Sequence, residues 1–312
     1  MKVILGTRYG GGITPGDHCG DALKMLGHEV LTVGPSTDPH TVQDYNTPGR
    51  VILGNVDVYD IRRVISETGF QPDLVFQVEP GVFFENIQDL TFPIATWFID
   101  SLLVPIPPHP ILQNDNLGGN YLGLISQFLF TSKLPHLSQY RAWRTKANHL
   151  PLAVDPDTYK PFEKEKKYDV AFIGNPTYEE RQFYLSRLKK NGFIVWDRGG
   201  LIRDDYCRKL NEAYIGFNHG HVGEMNMRFF ELAAMGVFQV CNICHGQEAV
   251  GFIDGKHLVN YVTDIDLVNT INHYLRSEQE RQEIIRNARQ LVLEKHTYVI
   301  RMRQMLEVVA NG

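Results

Sequence analysis

The sequence predicts an α/β protein with two parallel-sheet domains in tandem. Short apolar runs alternate with segments of helical periodicity along the chain. The runs are apolar throughout, which is typical of strands that are buried on both faces of a parallel sheet. A segment with three prolines, residues 150–161, precedes a wholly charged one, residues 163–167, after which the alternation restarts. This segment is the predicted linker between the two domains.

In the first half of the chain, each predicted strand is an apolar run bounded by turn-forming residues. A glycine-rich loop, residues 10–16, follows the first strand. The predicted strands are 3–5, 27–34, 72–78, 93–99 and 124–130, and the predicted helices are 17–26 and 60–68. We expect these elements to form an N-terminal domain over residues 1–150.

The second half repeats the pattern over a predicted C-terminal domain, residues 151–296. Its strands are 168–174, 193–196, 214–218 and 237–241, and its first helices are 179–190 and 205–212. Ser277 and Glu280 have the spacing of a capping box, which predicts the start of another helix. His296 and Thr297 interrupt that helix. The last helix, within 297–312, has its own apolar face, and we expect it to pack back on the N-terminal domain.

The composition excludes several classes of protein. Apolar residues make up 43% and charged residues 21% of the 312, as in ordinary globular proteins. The net charge of −5 gives no general attraction to nucleic acid, although a local basic patch stays open. No signal peptide or membrane-spanning run is evident, and four cysteines do not make a disulfide framework. The expected location is the cytoplasm.

The stretch from Glu224 to Gly236 carries the most informative charges. It indicates a loop, then a helix with Asn226 as N-cap and Arg228 in the first turn. A cation there opposes the helix dipole unless an anion binds at that end. Glu231 lies on the same helix face. Two interpretations stay open: a nucleotide site, with the arginine on the diphosphate and the glutamate on the ribose, or a surface ion pair.

An ordered set of motifs resembles the GT-B glycosyltransferases. The closer similarity is to the glycosyl transferase family 1-like group that includes the spore-maturation protein CgeB. The resemblance covers nearly the whole chain and is densest from 150 to 305. The motifs are Pro72-Asp-Leu-Val-Phe, Leu150-Pro-Leu-Ala-Val-Asp155, Phe172-Ile-Gly174 with Glu180-Arg181, Arg228-Phe-Phe-Glu231 with Gly236, and His296-Thr-Tyr298 with Arg301.

The resemblance implies two Rossmann-like domains that face each other across an interdomain cleft. It also implies metal-independent transfer of a sugar from a UDP-, GDP- or TDP-sugar, bound by the C-terminal domain, to an unidentified acceptor on the N-terminal side. By position, Glu231 would hold the ribose and Arg228 the diphosphate. The other donor-side candidates are Gly174, Asn175, Arg181, His219 and Asn226. For Arg181 and His219, an ordinary surface or loop position is the alternative.

The sequence departs from the better-known retaining members of that superfamily. Those members carry two glutamates separated by seven residues, whereas Glu224 and Glu231 are separated by six. We therefore do not assign Glu224 as the first glutamate of that pair. The arginine–lysine pair that those members use on the diphosphate is not evident either.

An inverting transfer needs a base that removes the proton of the acceptor hydroxyl. Asp100 and Glu79 are the candidates because each follows a predicted N-domain strand, and Asp100 is favoured. A turn or N-cap is the alternative for Asp100, and an ordinary loop carboxylate for Glu79. On the acceptor side, Gly11 and Gly12 allow a close approach to a ligand, and His18 lies just beyond them.

No cofactor or metal is expected beyond the nucleotide-sugar co-substrate. The run Cys241-Asn-Ile-Cys244-His245 matches a haem-attachment pattern, but no signal peptide accompanies it and no second C-x-x-C supplies a zinc site. Two other functions remain as alternatives on the same fold. One is a catalytically silent nucleotide- or sugar-binding protein, and the other is a nucleotide-sugar epimerase.

Overall fold

The chain forms two compact units. The computed structural model describes residues 1–8, 12–34, 51–53, 56–78, 82–87, 90–99, 126–175 and 177–312. The N-terminal unit comprises Met1–Pro151 together with Tyr298–Gly312, and the C-terminal unit comprises Leu152–Thr297.

A six-stranded parallel sheet forms the centre of the N-terminal unit. Its strand order is β2-β1-β5-β7-β8-β9. All five residues of β5 and all five of β7 are buried, as expected for strands covered on both faces. The strands are β1 (Lys2–Gly6), β2 (Glu29–Val33), β5 (Leu74–Val78), β7 (Ile94–Phe98), β8 (Phe128–Thr131) and β9 (Ala147–His149).

Four helices of this unit lie in the described part of the chain. They are α1 (Pro15–Met25), α2 (Ile61–Thr68), α3 (His136–Ala142) and α9 (Tyr298–Asn311). The final helix belongs to this unit because it packs on α1, where the rings of His18 and Tyr298 lie 5.0 Å apart. Arg301 of α9 also donates from Nε to the Pro151 carbonyl oxygen at 2.7 Å.

The start of α1 is held by a reciprocal capping box. Asp17 Nα–H donates to Thr14 Oγ1 at 3.2 Å, and Asp17 Oδ2 accepts from the Thr14 amide at 3.0 Å. The same carboxylate oxygen accepts from the amides of Gly12 and Ile13 at 2.9 and 3.0 Å. One buried side chain therefore orders the end of the loop that the sequence marks as glycine-rich.

A small second sheet in this unit was not predicted. It has the order β3-β4-β6, with β3 (Val51–Leu53) antiparallel to β4 (Val56–Asp60) and β4 parallel to β6 (Val82–Glu85). Its strands have only three to five residues, and β4 pairs with β6 across α2 and β5, so local periodicity does not reveal the sheet.

The C-terminal unit contains a five-stranded parallel sheet of order β11-β10-β12-β13-β14. Its apolar core includes Phe172, Phe217 and Val240, all fully buried. The strands are β10 (Tyr168–Ala171), β11 (Val195–Trp196), β12 (Ala213–Asn218), β13 (Phe238–Asn242) and β14 (Val259–Tyr261). The helices are α4 (Glu179–Lys190), α5 (Arg203–Asn211), α6 (Met227–Ala234), α7 (Asp264–Arg276) and α8 (Glu278–Lys295).

Two parallel α/β sheets with flanking helices confirm the predicted fold class. No helix in the part of the chain that the structure describes is both long and apolar enough to cross a bilayer.

One local prediction was wrong, and one strand was found with displaced bounds. Ser277 makes no side-chain cap hydrogen bond at the start of α8. Its hydroxyl instead lies 3.4 Å from His273 Nε2, because α7 and α8 follow each other directly and Ser277 ends the first of them. The strand predicted at 124–130 is observed at Phe128–Thr131, and residues 124 and 125 lie outside the described part.

We expect Asp17→Ala to destabilise the N-terminal unit by roughly 1.5–3 kcal/mol, because backbone amides lose a charged acceptor. Differential scanning calorimetry measures the effect. Asp21→Ala is the matched control on the same helix, since Asp21 is exposed and lies 4.0 Å from Lys24. Equal melting temperatures for the two variants would contradict the structural role of Asp17.

Candidate functional site

The carboxyl edge of the C-terminal sheet gathers most of the donor-side candidates. Parallel strands end at one edge, where ligands bind in open α/β sheets. Gly174 follows β10, Asn218 ends β12, and α6 begins after Asn226. The Asn226 side chain accepts from the Phe229 amide at 3.1 Å, which confirms it as the N-cap of α6.

Arg228 bridges the ends of two strands. Its Nε donates to the Ile173 carbonyl oxygen at 2.6 Å, and its Nη1 donates to Asn218 Oδ1 at 3.1 Å. The guanidinium also lies 4.7 Å from the centre of the Phe172 ring. Both acceptors are neutral, so these contacts orient the positive charge without cancelling it.

Gly174 makes room for this arginine. A Cβ atom at position 174 would lie 1.8 Å from Arg228 Nη2 and 2.7 Å from its Cζ. The requirement for glycine here is therefore steric, since any side chain would displace the guanidinium.

Arg181 of α4 supplies a second cation beside the first. Its side chain is buried, and it donates from Nε to the His219 carbonyl oxygen and from Nη1 to the Asn175 carbonyl oxygen, both at 3.0 Å. Burial lowers its pKa, and the positive charge of Arg228 lowers it further. The two guanidinium groups thus repel each other, and an anion at this edge would relieve the repulsion.

Glu231 is buried rather than displayed on the surface of α6. Only 6% of the residue is exposed, and its Oε2 accepts from the Tyr206 hydroxyl at 2.7 Å. Burial raises the pKa of its carboxyl, while the hydrogen bond from Tyr206 and the charge of Arg228 oppose that rise. The surface ion-pair interpretation therefore does not apply, because Arg228 and Glu231 direct their polar atoms to different partners.

His219 lies in a polar network just past β12. Its Nδ1 is 2.5 Å from the Tyr261 hydroxyl, and its Nε2 is 3.2 Å from Glu180 Oε2. Burial lowers the pKa of the imidazole, against the opposing effect of Glu180. The structure thus places His219 at the same edge as Arg181, whose Nε donates to the His219 carbonyl oxygen.

Sequence reasoning missed the partners of these residues. Asn218 ends a predicted strand, and Glu180 stands beside Arg181 within a quoted motif, so both had a positional signal. Tyr206 and Tyr261 had none, because a tyrosine on an apolar helix face or strand usually belongs to the core.

The acceptor-side candidates are only partly described. Asp100, Glu79 and Gly11 lie outside the described residues. The Gly12 amide donates to Asp17 Oδ2, and His18 is buried with its ring against Tyr298. Both residues belong to the α1 region of the N-terminal unit.

Within the described ranges, no cluster of three or more His, Cys, Asp or Glu side chains is arranged to hold a metal ion. Cys241 and Cys244 of the haem-like motif are buried, free thiols.

Solved structures with the same fold are glycosyltransferases. Sucrose-phosphate synthase from Thermosynechococcus elongatus is similar at 12% identity and a TM-score of 0.63, over 99% of this chain and 98% of that chain. HepE from Anabaena, in complex with UDP-glucose, is similar at 11% identity and 0.63, over all of both chains. An alpha-glucosyltransferase in complex with UDP and a 13-mer DNA is similar at 10% identity and 0.64, over 99% of both.

These likenesses show the fold, which is that of the GT-B class and confirms the resemblance seen in the sequence. Residues 158–307 also match the family model described as glycosyl transferase-like. They include Gly174, Arg181, His219, Arg228 and Glu231, which we call the carboxyl-edge site. The chain therefore has the GT-B fold, and its residues 158–307 are similar in sequence to glycosyl transferases. No protein with a curated description matches the sequence significantly. Membership of the CgeB-like group stays a prediction.

We expect Gly174→Ala to destabilise the C-terminal unit by about 1–3 kcal/mol, because the new methyl group overlaps the Arg228 guanidinium. In an Arg228→Ala background, the same substitution should cost less than about 0.5 kcal/mol, since the overlapping atoms are gone. A double-mutant cycle measures this coupling, from urea unfolding of the wild type, both single variants and the double variant. Additive effects would contradict the proposed steric cause.

Proposed function

We propose that the C-terminal unit binds the nucleoside diphosphate of the donor, with Arg228 on the diphosphate and Glu231 on the ribose. The observation that carries this proposal is the guanidinium of Arg228 at the first turn of α6, which donates to two neutral acceptors. Backbone amides at a helix start and a fixed cation both attract an anion. The same charge would stabilise the departing diphosphate during transfer.

The remaining donor-side residues have supporting roles in this proposal. Gly174 and Asn175 would form the loop beside the phosphates, and Asn226 would present the start of α6. Arg181 binds the backbone of that loop through the Asn175 carbonyl and adds positive charge. His219 would contact the donor sugar or its phosphates from the same edge.

A uridine nucleotide is the favoured donor among UDP-, GDP- and TDP-sugars. Two of the similar structures named above contain UDP or UDP-glucose. Thermal shift against the three diphosphates tests the base, because a ligand that binds only the native state raises its stability.

We assign the acceptor to the N-terminal domain, residues 1–150, and the donor to residues 151–296, with the helix in 297–312 completing the first domain. Gly11, Gly12 and His18 are the acceptor-side candidates. Asp100 is the proposed base and Glu79 the alternative, because each follows a strand of the central sheet. In this proposal the transfer needs no metal, and the protein acts in the cytoplasm.

The acceptor is left open, and nucleic acid stays among the candidates. One similar structure was solved with DNA bound, although the net charge of this chain is −5. Mass spectrometry after incubation with nucleotide sugars, with and without sugar, peptide and DNA acceptors, tests transfer. Donor binding without any product would favour a silent binding protein, and a changed donor sugar would favour an epimerase.

We expect Arg228→Ala and Glu231→Ala each to weaken UDP binding roughly 10- to 100-fold, the effect of losing a charged hydrogen bond to the ligand. Isothermal titration calorimetry measures the affinity. Arg187→Ala is the control in the same unit, because it also removes an arginine, one that pairs with Asp264 at 2.7 Å and is not among the proposed donor-side residues. Unchanged affinity in both site variants would remove the assignment.

We expect Asp100→Asn to reduce turnover by about 10²–10⁴-fold while UDP binding persists, as for loss of a positioned base. Glu79→Gln is the companion variant, and steady-state kinetics with calorimetry separates the two effects. Full activity of Asp100→Asn would transfer the role to Glu79 or indicate a retaining mechanism. Loss of wild-type activity in EDTA, restored by a divalent cation, would refute metal independence.

A further inference from the structure

Two tyrosines enclose the carboxylate of Glu231. Tyr206 of α5 and Tyr159 of the segment before β10 are 8% and 5% exposed, and their rings meet edge to face with centres 5.8 Å apart. The Tyr206 hydroxyl donates to Glu231 Oε2 at 2.7 Å, and the Tyr159 hydroxyl also hydrogen-bonds the carboxylate. We call these residues the tyrosine pair.

An ionised carboxylate at this buried position lowers the stability of the folded protein. Burial of a charged group costs free energy unless hydrogen bonds replace its water. An ionised carboxylate accepts about four hydrogen bonds, and the tyrosine pair donates two. The carboxylate therefore has acceptor capacity beyond the tyrosine pair, as two adjacent hydroxyls of a ribose would require.

We propose that Tyr206 is a positioning residue that fixes the Glu231 carboxylate so that it selects ribose over deoxyribose nucleotides. This inference rests on the proposed function, which assigns Glu231 to the ribose. Tyr206 acts through Glu231 and needs no contact with the ligand. Without its hydroxyl, the carboxylate would rotate more freely and would lose a donor that favours its ionised form.

The charged and titratable groups around Glu231 determine the sign of the expected pH effect. Arg228 lies one turn earlier on α6, while Tyr206 and Cys207 face it from α5 and Tyr159 from the preceding segment. Arg289 of α8 binds the far end of α6, through the Ala234 carbonyl oxygen. Burial raises the pKa of Glu231, and the hydrogen bonds from the tyrosine pair lower it.

Ribose hydroxyls donate best to the ionised carboxylate, so selection for ribose should be present above the pKa of Glu231 and lost as the pH falls through it. Removal of the Tyr206 hydroxyl takes away a lowering effect. The pKa should then rise further, and selection should disappear at a higher pH than in the wild type.

The test is the ratio of the dissociation constants for 2′-deoxy-UDP and UDP, measured by calorimetry from pH 5 to 8. Both ligands carry the same diphosphate. The titration of its terminal phosphate and its binding by Arg228 therefore affect both dissociation constants equally and cancel in the ratio. We expect Tyr206→Phe to reduce the ratio about 5- to 10-fold at pH 7.5 and to shift its fall to higher pH. The affinity for 2′-deoxy-UDP should change less than about twofold.

Tyr274→Phe is the matched control. It removes a tyrosine hydroxyl from another helix of the same unit, α7, where the Tyr274 ring packs on Phe238 of β13. Thermal melting of each variant establishes that it is folded. An equal loss of affinity for both nucleotides, or an unshifted pH profile, would overturn the positioning role.

Glu231→Gln separates this inference from the proposed function. If the wild type selects UDP and Glu231→Gln abolishes the selection, while Tyr206→Phe retains it, only the role of Tyr206 fails. If the wild type does not distinguish the two nucleotides, the assignment of Glu231 to the ribose fails, and the role of Tyr206 fails with it.

Discussion

The carboxyl-edge site depends on the hydrogen bonds that Arg228 makes across two strand ends. Because its guanidinium binds the Ile173 carbonyl oxygen and Asn218 Oδ1, one side chain fixes the loop after β10 against the end of β12. Gly174 is required by that contact, and Asn226 both caps α6 and exchanges amide hydrogen bonds with Asn218. The geometry of the edge thus follows from one cation whose partners are neutral.

A second cation and a buried carboxylate lie near Arg228. Arg181 adds a second positive charge close to the first, and Glu231 is withdrawn below the surface into contact with Tyr206. Both groups have their charged forms disfavoured by burial, as the directions of their pKa shifts indicate. Such an arrangement lowers the stability of the free protein. An anion would offset the positive charges of Arg181 and Arg228, and hydroxyl donors would favour the ionised form of Glu231.

Periodicity was sufficient to locate the long elements and insufficient for the small ones. Helix α4 is observed at the predicted residues 179–190, and the break at His296 separates α8 from α9 as predicted. The sheet β3-β4-β6 was not predicted because its strands have only three to five residues and β6 joins β4 from beyond α2 and β5. The capping box predicted at Ser277 was wrong for a different reason. The spacing of Ser277 and Glu280 was present, but Ser277 is also the C-cap of the preceding helix α7.

The sequence by itself determined the class of protein, because the order of strands, helices and motifs along the chain is a one-dimensional property. It also identified Arg228 as an unusual charge, since a cation in the first turn of a helix conflicts with the helix dipole. Only the tertiary structure decided what surrounds that charge. Ile173, Asn218 and Tyr206 come from segments far apart in the chain, and their contacts exist only once the parallel strands are aligned. The burial of Glu231 was decided in the same way, because the packing of α5 against the rest of the unit, and not the spacing from Arg228, removes it from solvent.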